Sequence, residues 1–441
     1  MATPEPPAGP LAAASGDGPL AALRRAGGAE HVYPAGAADE VDGVRPELVA
    51  EPGTVEEVAA VLREASAAGL RVVVRGGGSK LGWGAPPTAL DLILSTTRLG
   101  RVLEHAAGDL VVSAQAGVRL GDLQRQLAQA GQMLALDPPE AGATLGGVVA
   151  AAASGPRRLR YGTPRDLLIG STVVLPDGTV ARSGGKVVKN VAGYDLGKLL
   201  AGSFGTLAVL VEVIFRLHPL PAARGMAVAE VATPERAGRC VLALLASSLV
   251  PSAVELDWPD AAGPGTLRVL VEGVAPGVEA QTAEAAKLLG EHARARVLEP
   301  AEVDAALATL GALPWADGPA GALGVKVTCV PSALPDALTA LWEVAGARHL
   351  DAGVRAHAAV GVLRAALRGG DAATLAAFVT DLRDRLRFVA AALVVQEAPV
   401  EVKRAVDVWG PAGDALELMR RVKRQFDPSG ILSPGRFVGG I

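Results

Sequence analysis

Apolar residues recur at Val55, Val58, Ala59, Leu62 and Ala65, the spacing of one helix face, and Thr54-Val55-Glu56-Glu57 ahead of them has the form of a capping box. A helix is predicted over 54–68, closed by Gly69. Arg71-Val72-Val73-Val74-Arg75 then lacks any polar interruption, as in a buried strand, and runs straight into Gly76-Gly77-Gly78-Ser79-Lys80. Further strands are predicted at 90–94 and 110–115, with a helix at 119–130 stopped by Gly131. Strands at 171–175 and 179–182 are joined by the turn Pro176-Asp177-Gly178. A helical piece follows over 192–201, then a strand from Thr206 to Leu217 that ends at His218-Pro219-Leu220-Pro221. Those two prolines mark a domain boundary.

Beyond 222 the texture changes. Long Ala-rich helices around 234–247, 278–294, 332–346 and 371–387 alternate with strands near 252–257, 266–272, 323–329, 354–364 and 392–396. That is the pattern of an α+β domain with helices laid on a mainly antiparallel sheet. A last helix over 414–426 ends at Phe426-Asp427-Pro428-Ser429-Gly430. Residues 1–20 are Pro, Ala and Gly with almost no charge or large apolar residue, a composition that cannot bury enough surface to become ordered. The expected division is a flexible segment over 1–44, a first domain over 45–221, a second over 222–404 and a C-terminal return over 405–441.

Composition narrows the function. With 441 residues the chain exceeds one ordinary core. Its 42 basic and 46 acidic residues leave a formal charge of −4, with no basic face to neutralise phosphates, so nucleic acid is not expected as a partner. No apolar stretch approaches the length of a spanning helix, so a cytoplasmic protein is expected. The only cysteines, Cys240 and Cys329, read as reduced core thiols, too few for an iron–sulfur cluster or a structural zinc.

The glycine-rich loops carry the chemistry. Arg75-Gly76-Gly77-Gly78-Ser79-Lys80, directly after a strand, lets successive N–H groups point into one concavity, which suits a pyrophosphate or a tight turn. It fits neither a Rossmann fingerprint, whose third glycine position falls on Leu81, nor a P-loop. A second loop runs from Asp137-Pro138-Pro139 through Thr144-Leu145-Gly146-Gly147 to Ser154-Gly155 and Tyr161-Gly162. Its small residues allow close backbone approach to a ring or phosphate, or tight packing of a helix on a sheet. The third loop is Gly202-Ser203-Phe204-Gly205-Thr206, before an apolar strand.

These segments, together with KVVKNVAGYDL and the ending FDPSGILSPGRF, resemble the vanillyl-alcohol-oxidase-type (PCMH-type) FAD family. More narrowly they resemble the smaller flavin subunit of bacterial glycolate oxidase, in the branch that includes D-lactate and 2-hydroxyglutarate dehydrogenases. The resemblance covers nearly all of 45–221 and the last 15 or so residues. It implies a two-subdomain FAD-binding domain followed by an α+β cap. It implies that 76–80 and 144–147 wrap the pyrophosphate, that Ser154 to Gly162 run along the ring system, that 202–208 close around the adenosine end, and that Arg436 returns to the flavin domain. Ser79-Lys80 stand where relatives place a flavin-linking histidine, which implies non-covalent FAD. The implied activity is oxidation of a 2-hydroxy acid in a complex with a larger flavin subunit and an iron–sulfur subunit, cytoplasmic or peripheral to the inner membrane through those partners. A self-sufficient dehydrogenase of another small hydroxy acid and a non-catalytic FAD-containing accessory subunit stand as alternatives.

Catalytic members of the branch carry paired cap-domain histidines that bind a metal. The matching stretch here, Ala356-His357-Ala358-Ala359-Val360-Gly361, has one histidine and no acidic partner, so no metal is expected. His357 reads as a substrate base or as a satisfied polar residue on a sheet. Lys189 reads as a cation beside the flavin or as a solvated loop lysine.

Overall fold

The computed structural model describes residues 18–186, 194–316 and 321–441. The first lobe is a four-stranded sheet in the order Val32–Pro34, Leu48–Ala50, Leu92–Ser95, Val72–Arg75. Its last two pairings are parallel, and the helix Val55–Ala67 makes the crossover that parallel strands require. Thr54 caps that helix by accepting the Glu57 amide at 3.1 Å, and Glu57 reaches back to the Gly53 amide. Val58, Val61 and Leu62 are fully buried on its inner face, each stabilising the lobe by roughly 1.5–3 kcal/mol.

The second lobe is a five-stranded antiparallel sheet in the order Val102–Ala106, Val111–Gln115, Val209–Arg216, Leu168–Val174, Val180–Gly184. The cap that follows is an eight-stranded antiparallel sheet running from Ala223 to Glu397, which gives the α+β class expected. Its central strands are Gly265–Gly273, Ala253–Trp258, Asp351–His357, Val362–Arg368 and Leu323–Thr328, in that spatial order. Alternation assigns two faces. Val254, Leu256, Val269, Val325, Ala356 and Leu363 point into a core shared with the helices Pro234–Ala246, Leu334–Ala347 and Ala372–Leu386. Their neighbours Glu255, Arg268, Lys326, His357 and Arg364 therefore share the opposite face, where Glu255 lies opposite both Arg268 and His357, and Lys326 opposite Arg364.

The chain end returns to the first lobe. After the helix Leu416–Phe426, Leu432 runs parallel beside Val72, with Val72 N–H donating to Ile431 O and Ser433 N–H donating to Val72 O, both at 2.8 Å. No helix among the described residues is long and apolar enough to cross a membrane.

The structure corrects two expectations. Residues 18–44 are not a flexible segment: Pro19–Gly27 is a helix with Leu23 buried, and Val32–Pro34 pairs with Leu48–Ala50. Averaging over an Ala- and Gly-rich stretch hides one nonamer with Pro at its first turn and two well-placed leucines. The strand expected over 354–364 is a hairpin of Asp351–His357 and Val362–Arg368. Gly361 turns it at φ +63°, where a β-carbon would also lie 2.0 Å from Cys329 O. The helical piece over 192–201 begins outside the described residues, and Gly197–Leu200 is its described part.

The cap is tied to the second lobe by Arg157, which grips Glu272 through Nη2 at 2.8 Å and Nε at 3.3 Å, with the Glu272 side chain fully buried. Arg224 stands 3.6 Å from the same carboxylate. Arg157→Ala is expected to cost about 3 kcal/mol because it strands a buried carboxylate with only the more distant Arg224 beside it. Urea unfolding followed by tryptophan fluorescence measures this. The Arg157→Ala/Glu272→Ala double variant should recover part of the loss.

Candidate functional site

The two lobes and the chain end line an open cleft. Most of its lining residues are small, glycine and alanine above all. A β-carbon on Gly76 would fall 2.1 Å from Thr144 Oγ1, and one on Gly77 would fall 2.0 Å from Gly142 O. Only glycines let the first loop lie this close against the second. Thr144 caps the short helix Leu145–Ala150, its hydroxyl accepting the Gly147 amide at 3.4 Å. Gly76, Gly77, Gly78, Ser79, Lys80, Thr144, Gly146, Gly147 and Gly205 all line this space.

The charged residues there are committed to partners. Arg75 lines the cleft while its Nη1 binds Asp39 at 2.5 Å. Burial works against the Asp39 charge, yet Arg75 and the Gly36 amide hold its carboxyl below the usual range. Lys80 pairs with Glu140 at 2.7 Å; burial pulls its ammonium pKa down and Glu140 opposes the shift. Arg436 lies at the cleft but spends its fork on main-chain carbonyls of Leu81 and Trp83 rather than presenting it to an anion. Burial lowers its pKa to about 10, so it stays charged. Trp409 Nε1 donates to Arg436 O at 2.9 Å, and Phe204, Trp409 and Phe437 pack ring against ring beside it.

Pro138, Ser154, Tyr161, Gly162, Gly202 and Thr206 are not among the residues lining this cleft. Pro138 lines a neighbouring cavity shared with Asp137, Glu140 and Arg157. Ser154 is buried between lobe and cap, and Tyr161 packs edge-on against His218 at 4.9 Å. Gly162 ends the one-turn helix Arg158–Tyr161 at φ +84°. Gly202, at φ +84°, packs on Ala152, and Thr206 turns its hydroxyl to Ser203 O at 2.7 Å. Lys189 lies outside the described residues.

The charged cap face meets the second lobe where Arg364 reaches Ser154. Arg364 Nη1 lies 2.6 Å from His357 Nε2, and Nη2 donates to Ser154 O at 3.4 Å. His357 Nδ1 lies 2.8 and 2.9 Å from the two oxygens of Glu255. This corrects the expectation that His357 has no acidic partner: the acid comes from a neighbouring strand. Burial, then Arg364, drive the His357 pKa down to about 3, so the ring is neutral near pH 7. Burial raises Glu255 well above the carboxylate range against the pull of Arg364 and Arg268. Burial also lifts Asp137 to about 6, opposed by Arg157. Lys326 falls to about 8 through burial and then the charges of Arg364 and Arg158. Arg364 feels the field of Glu140, whose partner Lys80 lines the cleft.

Arg364, Lys326 and Glu255 escape motif reasoning because no motif contains them. Their signal is an ionisable residue flanked on both sides by apolar ones within a strand, as in VLRAALR, LGVKVT and AVELDW. Among the described residues no group of three or more His, Cys, Asp and Glu is placed to hold a metal ion.

Comparison with known proteins agrees with the cradle. Residues 46–184 match the FAD binding domain family and residues 410–437 match the C-terminal domain of FAD linked oxidases. An FAD-linked oxidoreductase of Mycobacterium tuberculosis is 30% identical over 423 residues, covering 90% of this chain and 91% of its own. Glycolate oxidase subunit GlcE of Escherichia coli is 40% identical over 154 residues, covering 34% of this chain and 43% of that subunit. Among solved structures, p-cresol methylhydroxylase with substrate bound superposes with a TM-score of 0.76, covering 95% of this chain and 96% of that one at 17% identity, a likeness of fold.

Gly77→Ala forces a β-carbon into Gly142 O, and overpacking of roughly 1–3 kcal/mol should weaken flavin binding about tenfold or more while the lobes stay folded. Flavin fluorescence during titration of the apoprotein measures the affinity, and circular dichroism checks the fold. With its glycine cradle, its two matching domains and a relative alike over nine-tenths of both chains, the protein belongs to the FAD-linked oxidoreductases and binds FAD.

Proposed function

We propose that this protein is an FAD-linked dehydrogenase of a small 2-hydroxy acid, working as the flavin subunit of a glycolate-oxidase-type complex beside a larger flavin subunit and an iron–sulfur subunit. The supporting observation is a cation cluster formed by Lys326 and Arg364 on the cap face with Arg158 of the helix Arg158–Tyr161. Lys326 and Arg158 have no hydrogen-bond or ion-pair partner among the described residues, and Arg364 Nε is buried without one. Asp166 acts on Arg158, while Glu255 and Asp137, two of the acids that act on Arg364, are pushed toward their neutral forms by burial. A cluster of cations short of counter-charge suits an anion, and a carboxylate is the anion a hydroxy acid brings.

Bound FAD supplies the hydride- and electron-accepting chemistry. The chain's residues do the rest: the glycine loops hold the diphosphate, Lys326 and Arg364 hold the substrate carboxylate, and the cap shields the space between from water. Ser79 and Lys80 occupy the place of the linking histidine, so the flavin is held non-covalently. With two cysteines in the chain, electrons leave through a partner's clusters. The partial likeness to the Escherichia coli glycolate oxidase subunit supports that setting, in the cytoplasm and peripheral to the inner membrane through the partners. The cation cluster lies wholly within this chain, which favours a self-sufficient dehydrogenase as the second reading.

Assay of the FAD-loaded chain with glycolate and D-lactate plus an artificial acceptor separates the readings. Turnover only after addition of the partner subunits supports the complex, turnover alone supports the self-sufficient enzyme, and no turnover in either setting removes both. The cationic form of Lys326 is present below its pKa and lost above it. The KM for the active acid should therefore rise as pH passes about 8, and Lys326→Arg should move that break out of range. A KM independent of pH between 7 and 9 would remove Lys326 from the carboxylate site.

A further inference from the structure

We propose that Glu255, His357 and Arg364 form a positioning chain in which His357 holds the Arg364 guanidinium in place for a substrate carboxylate, and that His357 is not the base of the reaction. The identity of the anion rests on the function proposed above; the arrangement of the chain does not.

The order of donors and acceptors follows from one residue. Arginine has five N–H donors and no lone pair to offer. Its Nη1 sits 2.6 Å from His357 Nε2, so Nε2 must accept and the ring must be neutral. The proton of a neutral imidazole then belongs on Nδ1, which donates to the Glu255 oxygens at 2.8 and 2.9 Å. Both ring nitrogens are used. A base needs a lone pair facing the proton it takes, and the lone pair of His357 faces Arg364.

The backbone dictates this meeting. His357 lies opposite Glu255 on one side and opposite Val362 on the other, and Arg364 is two residues beyond Val362 on the same face. Glu255, His357 and Arg364 are 6%, 3% and 7% exposed, so these bonds are shielded from bulk solvent. An arginine has several rotatable bonds, and a fork pinned at Nη1 loses most of that freedom before any ligand arrives. What remains is Nη2, shared weakly with Ser154 O at 3.4 Å, and Nε, buried without a partner. Those are the donors left for an anion.

Two variants of the FAD-loaded full chain separate positioning from base catalysis. His357→Leu fills the space without a lone pair, and should raise the KM for D-lactate or glycolate, and the Kd for oxalate read from the flavin absorbance, by about 10- to 100-fold with a smaller change in kcat. His357→Gln offers an amide oxygen to Arg364 and an amide N–H to Glu255, and should recover binding to within about threefold. Neither variant should delete a limb of the kcat pH profile. If His357→Gln instead lost kcat as severely as His357→Leu while oxalate still bound, His357 would be the base and the proposal would fail.

A second measurement does not depend on any substrate, nor on the leucine variant folding. The chain has six histidines, so ¹⁵N-histidine labelling gives few resonances, and the one missing in His357→Gln is His357. It should stay neutral with its proton on Nδ1 from pH 5 to 8. A proton on Nε2, or titration in that range, overturns the positioning chain. Failure of wild type to bind oxalate or to turn over either acid, with this tautomer present, removes the proposed substrate class and leaves the chain standing.

Discussion

The contact between the loop 76–80 and the loop 142–147 governs the rest of the molecule. Two lobes with separate sheets are brought together there by backbone against backbone, with Gly76 over Thr144 and Gly77 over Gly142. Side chains at those positions would hold the lobes apart by at least the width of a methyl group. The cleft owes its shape to that approach. The remaining layers support the geometry: Asp39 fixes Arg75 on one side, and Arg436 draws the carbonyls of Leu81 and Trp83 on the other.

The cap answers a different constraint. Its sheet has one face sealed by helices, so every ionisable residue in its central strands must sit on the face turned to the lobes. Burying such groups costs several kcal/mol each unless they find partners. Glu255, His357 and Arg364 bond to one another, and Arg157 with Glu272 joins cap to lobe. Lys326 and Arg158 do not share in these pairs.

How much of this was legible in the sequence depends on the range of the interaction involved. The helix over 54–68, the strand before the glycine run and the cradle residues from Gly76 to Gly147 were legible because capping, apolar runs and glycine needs are local. The helix Pro19–Gly27 was lost to its own composition, and the hairpin at Gly361 was merged into one strand because both arms are apolar. The pairing of His357 with Glu255 bridges 102 positions and depends on strand order, which no pattern within a strand encodes. Arg436 was placed at the flavin domain by resemblance, yet its partners proved to be carbonyls some 350 positions upstream.

That last contact shows why the C-terminal segment belongs to the site although it supplies few surfaces to it. Ile431 and Ser433 add a strip of backbone pairing to Val72, directly upstream of the glycine loop, and Asp427 fastens the strip by accepting the amides of Ile431 and Leu432 at 3.2 and 2.8 Å. Lys423 binds Asp427 at 2.6 Å and the carbonyls of Thr206 and Leu432 at 2.8 Å, so one ammonium joins the third loop to the chain end. Burial pulls that lysine's pKa down while Asp427 opposes the shift. A glycine-rich loop has the greatest conformational freedom to lose on ordering. Here the order is imposed from outside the loop, by a chain end that crosses back over the two lobes and locks the loop into a shape its own residues would not hold.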